Sequence, residues 1–171
     1  FFVAAPGLAR GASPLDPADL DSFTVPFGGA EQVFHIGPAS VAVPGQLPGL
    51  VTALRRFGRL PIADVVEPAI RLARRGVRVG PEAAFLHTIL ADMLCHTPQS
   101  RAIYAPHGDL LLEGDVIRMS RMADTLAAVA SDPDAALAEI GREIVGALGA
   151  RGRISAEDLA AHSVIEREPI S

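Results

Sequence analysis

Between Leu47 and Leu148 the apolar residues recur every three or four positions and are interrupted at short intervals by glycine or proline. That pattern admits a set of short amphipathic helices, because half-buried strands need a period of two and a long helix could not carry so many breakers. Leu47, Leu50, Val51, Leu54 and Phe57 predict a helix that stops at Gly58. Pro61 suits the first turn of a second, carrying Ile62, Val65, Val66, Ile70 and Leu72 to a stop at Gly76, with Pro68 kinking or dividing it. Pro81 opens a third, with Phe85, Leu86, Ile89, Leu90, Met93 and Leu94 on one broad face. The stretch from Pro98 to Asp115 reads as irregular, with Gly108 and Gly114 as turn residues. Helical spacing resumes from Ile117 to Val129, and Asp132-Pro133-Asp134 introduces a helix through Leu137, Ile140, Ile144 and Leu148 to Gly149. Ser155 followed by Asp158 resembles a capping box at the start of a last helix.

The flanks differ. From Pro6 to Pro44 the chain is rich in Pro, Gly and Asp, with alternations at Val33-Phe34-His35-Ile36 and Val41-Ala42-Val43, which predict loop, turns and one or two short strands. Val164 to Ile170 reads as a strand with no exit turn, and the start at Phe1 is equally apolar. Ends of that kind usually lie inside a sheet, so the expectation is an excised piece of a larger protein. Residues 1–45 form a strand and loop segment, 46–161 a helix-rich segment and 162–171 a strand, together one part of a larger single domain.

A chain of 171 residues, 49% hydrophobic, can build a core without disulfides or metal. Fifteen cations against twenty acidic residues leave a net charge of −5, which argues against a general nucleic-acid binder. All fifteen cations are arginine. Without lysine this stretch forms no Schiff base and supplies no P-loop lysine, which excludes pyridoxal-phosphate enzymes and P-loop NTPases; no cofactor is implied. The lone Cys95 allows no internal disulfide and leaves both a cytoplasmic and an exported location open. No apolar run is long enough for a membrane span, and Phe1-Phe2-Val3-Ala4-Ala5 lacks the charged start of a signal peptide.

Candidate chemistry is thin. Asp92, Cys95 and His96 would share a helix face with ligand-like spacing, but zinc needs about four ligands and no second half-site follows at short range. A buried thiol beside a surface carboxylate and histidine is the simpler reading, and no metal site is assigned. There is no Gly-x-Ser-x-Gly elbow, and Cys95 lacks the surroundings of a cysteine nucleophile. Glu166 and Glu168 would share one face of a strand, which suits acid–base work less well than an ordinary solvated face. Asp16, Asp19 and Asp21 lack the spacing of a calcium loop. Arg71, Arg74, Arg75 and Arg78 crowd a helix end, where cations offset the dipole, and Glu67 is placed to pair with Arg71.

Read in order, Val43-Pro44-Gly45, Gly49-Leu50, Phe57-Gly58-Arg59-Leu60-Pro61, Pro68-Ala69-Ile70-Arg71-Leu72-Ala73 and Gly76 resemble the large subunit of gamma-glutamyltranspeptidases. Gly114-Asp115, Ala123-Asp124-Thr125-Leu126, Ile154-Ser155-Ala156-Glu157-Asp158-Leu159-Ala160 and Glu166-Arg167-Glu168-Pro169-Ile170 continue the likeness. The resemblance implies an α+β fold, here a predominantly helical segment of an N-terminal-nucleophile hydrolase with αββα layers and short strands near both ends. It also implies a self-cleaving precursor, whose small subunit starts with the threonine that attacks a gamma-glutamyl amide such as glutathione. That threonine has no counterpart among Thr24, Thr52, Thr88, Thr97 and Thr125, so no catalytic residue is assigned. The implied partners are the remainder of the precursor, including that small subunit, and a small-molecule substrate.

One position departs from the family. An Arg-Glu-x-Ala-Pro motif is expected near the start, its arginine gripping the alpha-carboxylate of the gamma-glutamyl group, whereas here Phe2-Val3-Ala4-Ala5-Pro6 stands in its place. Phe2 is therefore the candidate substrate-binding position, and an apolar ring cannot replace a bidentate carboxylate clamp. The departure points to an amidase or acylase branch, or to an inactive member. Two readings outside the family also stand: an independent helical binding module, and a metal enzyme using Asp92, Cys95 and His96.

Overall fold

Local capping chemistry sets most of the helix ends in the computed structural model, which describes residues 4–5 and 20–167. Helix α1 spans Gln46–Phe57, and the Gly58 N–H closes it on the Leu54 carbonyl. Helix α2 spans Ile62–Arg75, begins just after Pro61 and stops at Gly76. Pro68 does not divide it. A single interior proline removes one backbone bond, and the packing of α2 along the helix over Ser120–Ser131 keeps it continuous.

The third predicted helix is shorter than its apolar pattern. Helix α3 covers Pro81–Ile89 and α4 covers Ala91–Leu94, with Leu90 at φ −104° and ψ 12° between them. The break separates two anchors. His87 of α3 is buried, with Nδ1 2.7 Å from the Leu111 carbonyl and its ring edge-on to Tyr104, while α4 leads to His96, which bonds Asp21. Helix α5, Pro98–Tyr104, lies in the stretch expected to be irregular. Thr97 and Ser100 form its capping box, each side chain meeting the other's backbone N–H.

Helix α6 spans Ser120–Ser131, starting later than the predicted Ile117 because Val116–Ile117 is a strand. Asp132 accepts from the Asp134 and Ala135 N–H groups and opens α7, Pro133–Leu148, which ends at Gly149 as expected. In α8, Ala156–Ala161, the Ser155–Asp158 capping box forms.

Among the described residues the strands pair as three antiparallel ladders: β1 (Ala4–Ala5) with β4 (Val43–Pro44), β2 (Asp21–Pro26) with β3 (Glu31–Ile36), and β5 (Val77–Arg78) with β6 (Val116–Ile117). In the hairpin β2–β3 the register runs from Asp21 opposite Ile36 to Pro26 opposite Glu31. The strand expected over 162–171 is not formed in its described part. Residues 162–167 carry no ladder, since no strand among the described residues lies alongside, and residues 168–171 lie outside the described residues. Glu166 is instead tied to Arg56 of α1 at 2.7 Å.

Among the described residues two small cores hold the helices. Val51, Val129 and Ala136 form one, with Leu47, Ile62 and Ile140 packed against it, so that α1, α2, α6 and α7 meet there. Val79, Ala84 and Leu111, with Ile117 beside them, form the other.

Outside the first core, Arg55 of α1 grips Asp134 of α7 in a fork, Nη1 to Oδ1 at 3.0 Å and Nη2 to Oδ2 at 2.9 Å. The guanidinium's hydrogen bonds and charge hold the Asp134 carboxyl below the ordinary carboxylate range, and Asp134 raises Arg55 in turn. A carboxyl depressed in the folded state contributes stability above its unfolded pKa, and that contribution fades as pH falls through its folded value. The stability difference between the wild type and Asp134→Asn is thus expected to be constant near neutrality, to begin to shrink only below about pH 4, and to vanish as pH falls through the depressed folded value. Both groups are exposed, so the difference is small. Urea unfolding of both proteins across that range checks it, and a gap that widened in acid would contradict the pairing.

Candidate functional site

The hairpin, α4 and α5 enclose an open cleft of about 350 Å³, lined by Phe23, Asp92, Cys95, His96, Arg101 and Leu110 among others. His96 is fixed from two sides. Its Nε2 lies 3.1 Å from Asp21 Oδ2, and Phe23 meets its ring edge-on at 5.3 Å between centroids. Arg101 donates from Nη2 to the Cys95 carbonyl at 2.8 Å, which ties α5 back to the end of α4. The Cys95 residue is half-buried.

The structure thus brings Asp92, Cys95 and His96 to one cleft. It also gives the imidazole Nε2 a carboxylate partner, and no three His, Cys, Asp or Glu side chains among the described residues are grouped to hold a metal ion. Arg101, which adds to the cleft's polar lining, and Asp21, which reaches His96 from β2, were not predicted there. Asp21 and His96 are 75 residues apart, and no local signal joins them.

The other candidates disperse. Glu166 pairs with Arg56, and Glu168 lies outside the described residues, as do Asp16, Asp19 and Phe2. Thr88 and Thr125 turn their hydroxyls onto the Ala84 and Arg121 carbonyls of their own helices, and Thr97 caps α5. Of the crowded arginines, Arg71 pairs with Glu67 as predicted and Arg74 reaches Asp124 of α6 at 3.4 Å.

Comparison with known proteins gives this helical frame a context. The family model described as gamma-glutamyltranspeptidase matches residues 8–171. The acylase ACY 1 proenzyme of Pseudomonas sp. (strain SE83) is 39% identical over 138 residues, 79% of this chain and 25% of that protein. The glutathione hydrolase proenzyme of Escherichia coli (strain K12) is 35% identical over 132 residues, 75% of this chain and 23% of that protein. The chain therefore spans about a quarter of the length of the curated relatives it matches. Among solved structures, Helicobacter pylori gamma-glutamyltranspeptidase superposes with a TM-score of 0.77 at 20% identity, over 98% of this chain and 47% of that one. The cephalosporin acylase of Bacillus halodurans does so with 0.67 at 25% identity, over 89% and 35%. The fold is accordingly a mostly helical α+β portion of an N-terminal-nucleophile hydrolase. The ordered motifs at Gly58, Gly76 and Ser155 stand at the helix ends that the structure places there, and with the family model running through all of them the chain belongs to the gamma-glutamyltranspeptidase family.

Proposed function

We propose that this chain is a helical part of the large subunit of a self-processing enzyme that transfers or hydrolyses gamma-glutamyl or related acyl amides. In that enzyme it braces one side of the substrate cleft and supplies no nucleophile. The distribution of apolar side chains carries the reading. The buried cores are built mainly of valine and alanine, while Leu50, Phe57, Leu60, Phe85 and Ile165 face solvent, Phe57 at 73% exposure and Ile165 at 69%. Open apolar surface on a helical layer is what remains when the layer it packs on belongs to another part of the molecule. The proenzyme names of the similar acylase and glutathione hydrolase agree with a precursor. In such an enzyme a terminal threonine, activated by its own amine, takes the acyl group, which then passes to water or an amine. Sequencing the chain ends of the purified full-length protein tests this: one internal cut is expected, leaving a smaller chain that begins with threonine. A protein that stays uncut, or activity in these residues alone, would overturn it.

Phe2 and the 39% identity to an acylase proenzyme favour a second reading of the acyl group, one without an alpha-carboxylate. The full-length enzyme is then expected to prefer butyryl-p-nitroanilide to gamma-glutamyl-p-nitroanilide. Phe2→Arg, restoring a charge-assisted clamp, should raise kcat/KM for the gamma-glutamyl substrate roughly tenfold or more. Preference for the gamma-glutamyl substrate by the unaltered enzyme would dismiss this reading and leave the first intact.

A further inference from the structure

The last turn of α2 and the first turn of α6 lie side by side, joined by the Met119 N–H donating to the Ala73 carbonyl at 3.0 Å and by the β5–β6 ladder. Both carry arginine at this end. Arg78 sits opposite Val116 in the ladder, so the two share a face, and the side chains of Val116 and Arg118 both lie against the bare Cα of Gly76. Arg75 immediately precedes Gly76, and Arg121 stands in the first turn of α6. All four arginines are exposed.

Their neighbours do not neutralise them. Glu67 and Asp124 are engaged by Arg71 and Arg74. Among the described residues Arg75, Arg118 and Arg121 make no ion pair, and Arg78 donates to the neutral Gly114 carbonyl at 2.6 Å. Glu113 and Asp115 flank the Gly114 carbonyl that receives Arg78 without making an ion pair, so a chain with net charge −5 still gathers four arginines outside any ion pair on one ridge. Exposed Leu72 lies one turn before Arg75, and exposed Met122 follows Arg121. Arginine and methionine interleaved with apolar side chains is a composition enriched at protein interfaces.

We propose that this ridge docks an acidic polypeptide segment. Its carboxylates are received by the guanidinium forks of Arg75, Arg78, Arg118 and Arg121, and an apolar side chain is received by Leu72 and Met122. Nucleic acid fits the ridge less well. Residues 67–78 and 113–124 contain no aromatic side chain on which a base could stack, and Glu67 and Asp124 interrupt the positive strip that a phosphate backbone follows.

The test is fluorescence anisotropy on the full-length protein with a fluorescein-labelled peptide of sequence Glu-Asp-Leu-Glu-Asp-Leu-Glu-Asp. Binding is expected to weaken roughly tenfold between about 50 and 300 mM salt. The reversals Arg75→Glu with Arg118→Glu, and Arg78→Glu with Arg121→Glu, should each weaken it by roughly tenfold. Arg59→Glu with Arg142→Glu, an equal charge change away from the ridge, should leave it within about twofold. Should a reversal melt early by circular dichroism, replacing the four ridge arginines with glutamine is expected to give the same loss. Equal effects of ridge and control variants would overturn the proposal. So would failure of the peptide to bind, or tighter binding of an oligonucleotide of equal charge or of anionic phospholipid vesicles.

Discussion

Val129→Asp is expected to unfold the junction of α1, α2, α6 and α7. Val129 is 0% exposed and sits among Val51 and Leu47 of α1, Ile62 of α2, and Ala136 and Ile140 of α7. The substitution forfeits about 1.5–3 kcal/mol of apolar burial. It also sets a carboxyl in apolar surroundings at a further cost of roughly 2 kcal/mol or more. A total of about 4 kcal/mol or more is a large share of the stability of an ordinary domain. Val129→Ala keeps the site apolar and should lose about 2 kcal/mol. Ala128→Gln, on the exposed neighbouring position, should stay within about 0.5 kcal/mol. Urea unfolding of the full-length protein, followed by circular dichroism, ranks the three. Equal midpoints for the Asp and Gln variants would contradict the packing at Val129.

The same junction separates what was legible in the sequence from what was not. Gly58, Gly76, Gly149, Asp132 and Ser155 act within a turn of their own position, so reading them along the chain places the ends of α1, α2, α7 and α8. The Thr97–Ser100 capping box is just as local, yet serine stands where Glu or Gln usually completes the motif, and the apolar content of Pro98–Tyr104 is too low to announce a helix. The β5–β6 ladder is only two residues deep on each side, too short for any alternation. Pairing it with residues almost forty positions away moved the start of α6 from Ile117 to Ser120.

The cleft shows a different limit. Asp92, Cys95 and His96 do meet in one cleft, though α4 ends at Leu94 and only Asp92 lies on the helix, so they share the cleft without sharing the helix face that their spacing predicts. What decides their chemistry is Asp21, which arrives from β2 and occupies the imidazole Nε2. That contact depends on the hairpin's place against α4, a tertiary fact with no sequence period behind it. Family membership was legible for the opposite reason: it rests on the order of many short motifs, several of them at helix ends such as Gly58, Gly76 and Ser155.

Gly76→Ala is expected to be strongly destabilising for a single-methyl change. Gly76 ends α2 with φ 89° and ψ 161°, a conformation essentially reserved for glycine, which costs other residues about 1–3 kcal/mol. A Cβ there would also drive into Val116 Cγ1, approach Arg118 Cγ to 2.8 Å and stand 3.0 Å from the Ile117 carbonyl oxygen. Overpacking of that kind adds about 1–3 kcal/mol, so a loss of about 3 kcal/mol or more follows. Adding Val116→Ala clears the worst steric contact but leaves the carbonyl and the backbone angle in place. The double variant should therefore recover part of the loss and not all of it. Gly146→Ala is the contrasting case: Gly146 lies inside α7 with open space where its Cβ would stand, so the methyl should stabilise by about 0.5–1 kcal/mol. Thermal unfolding of the full-length protein compares them, with Gly146→Ala above the wild type and Gly76→Ala well below. Were the two glycines to tolerate alanine equally, the backbone turn that carries α2 into β5, and with it the seating of α6 on α2, would have to be drawn differently.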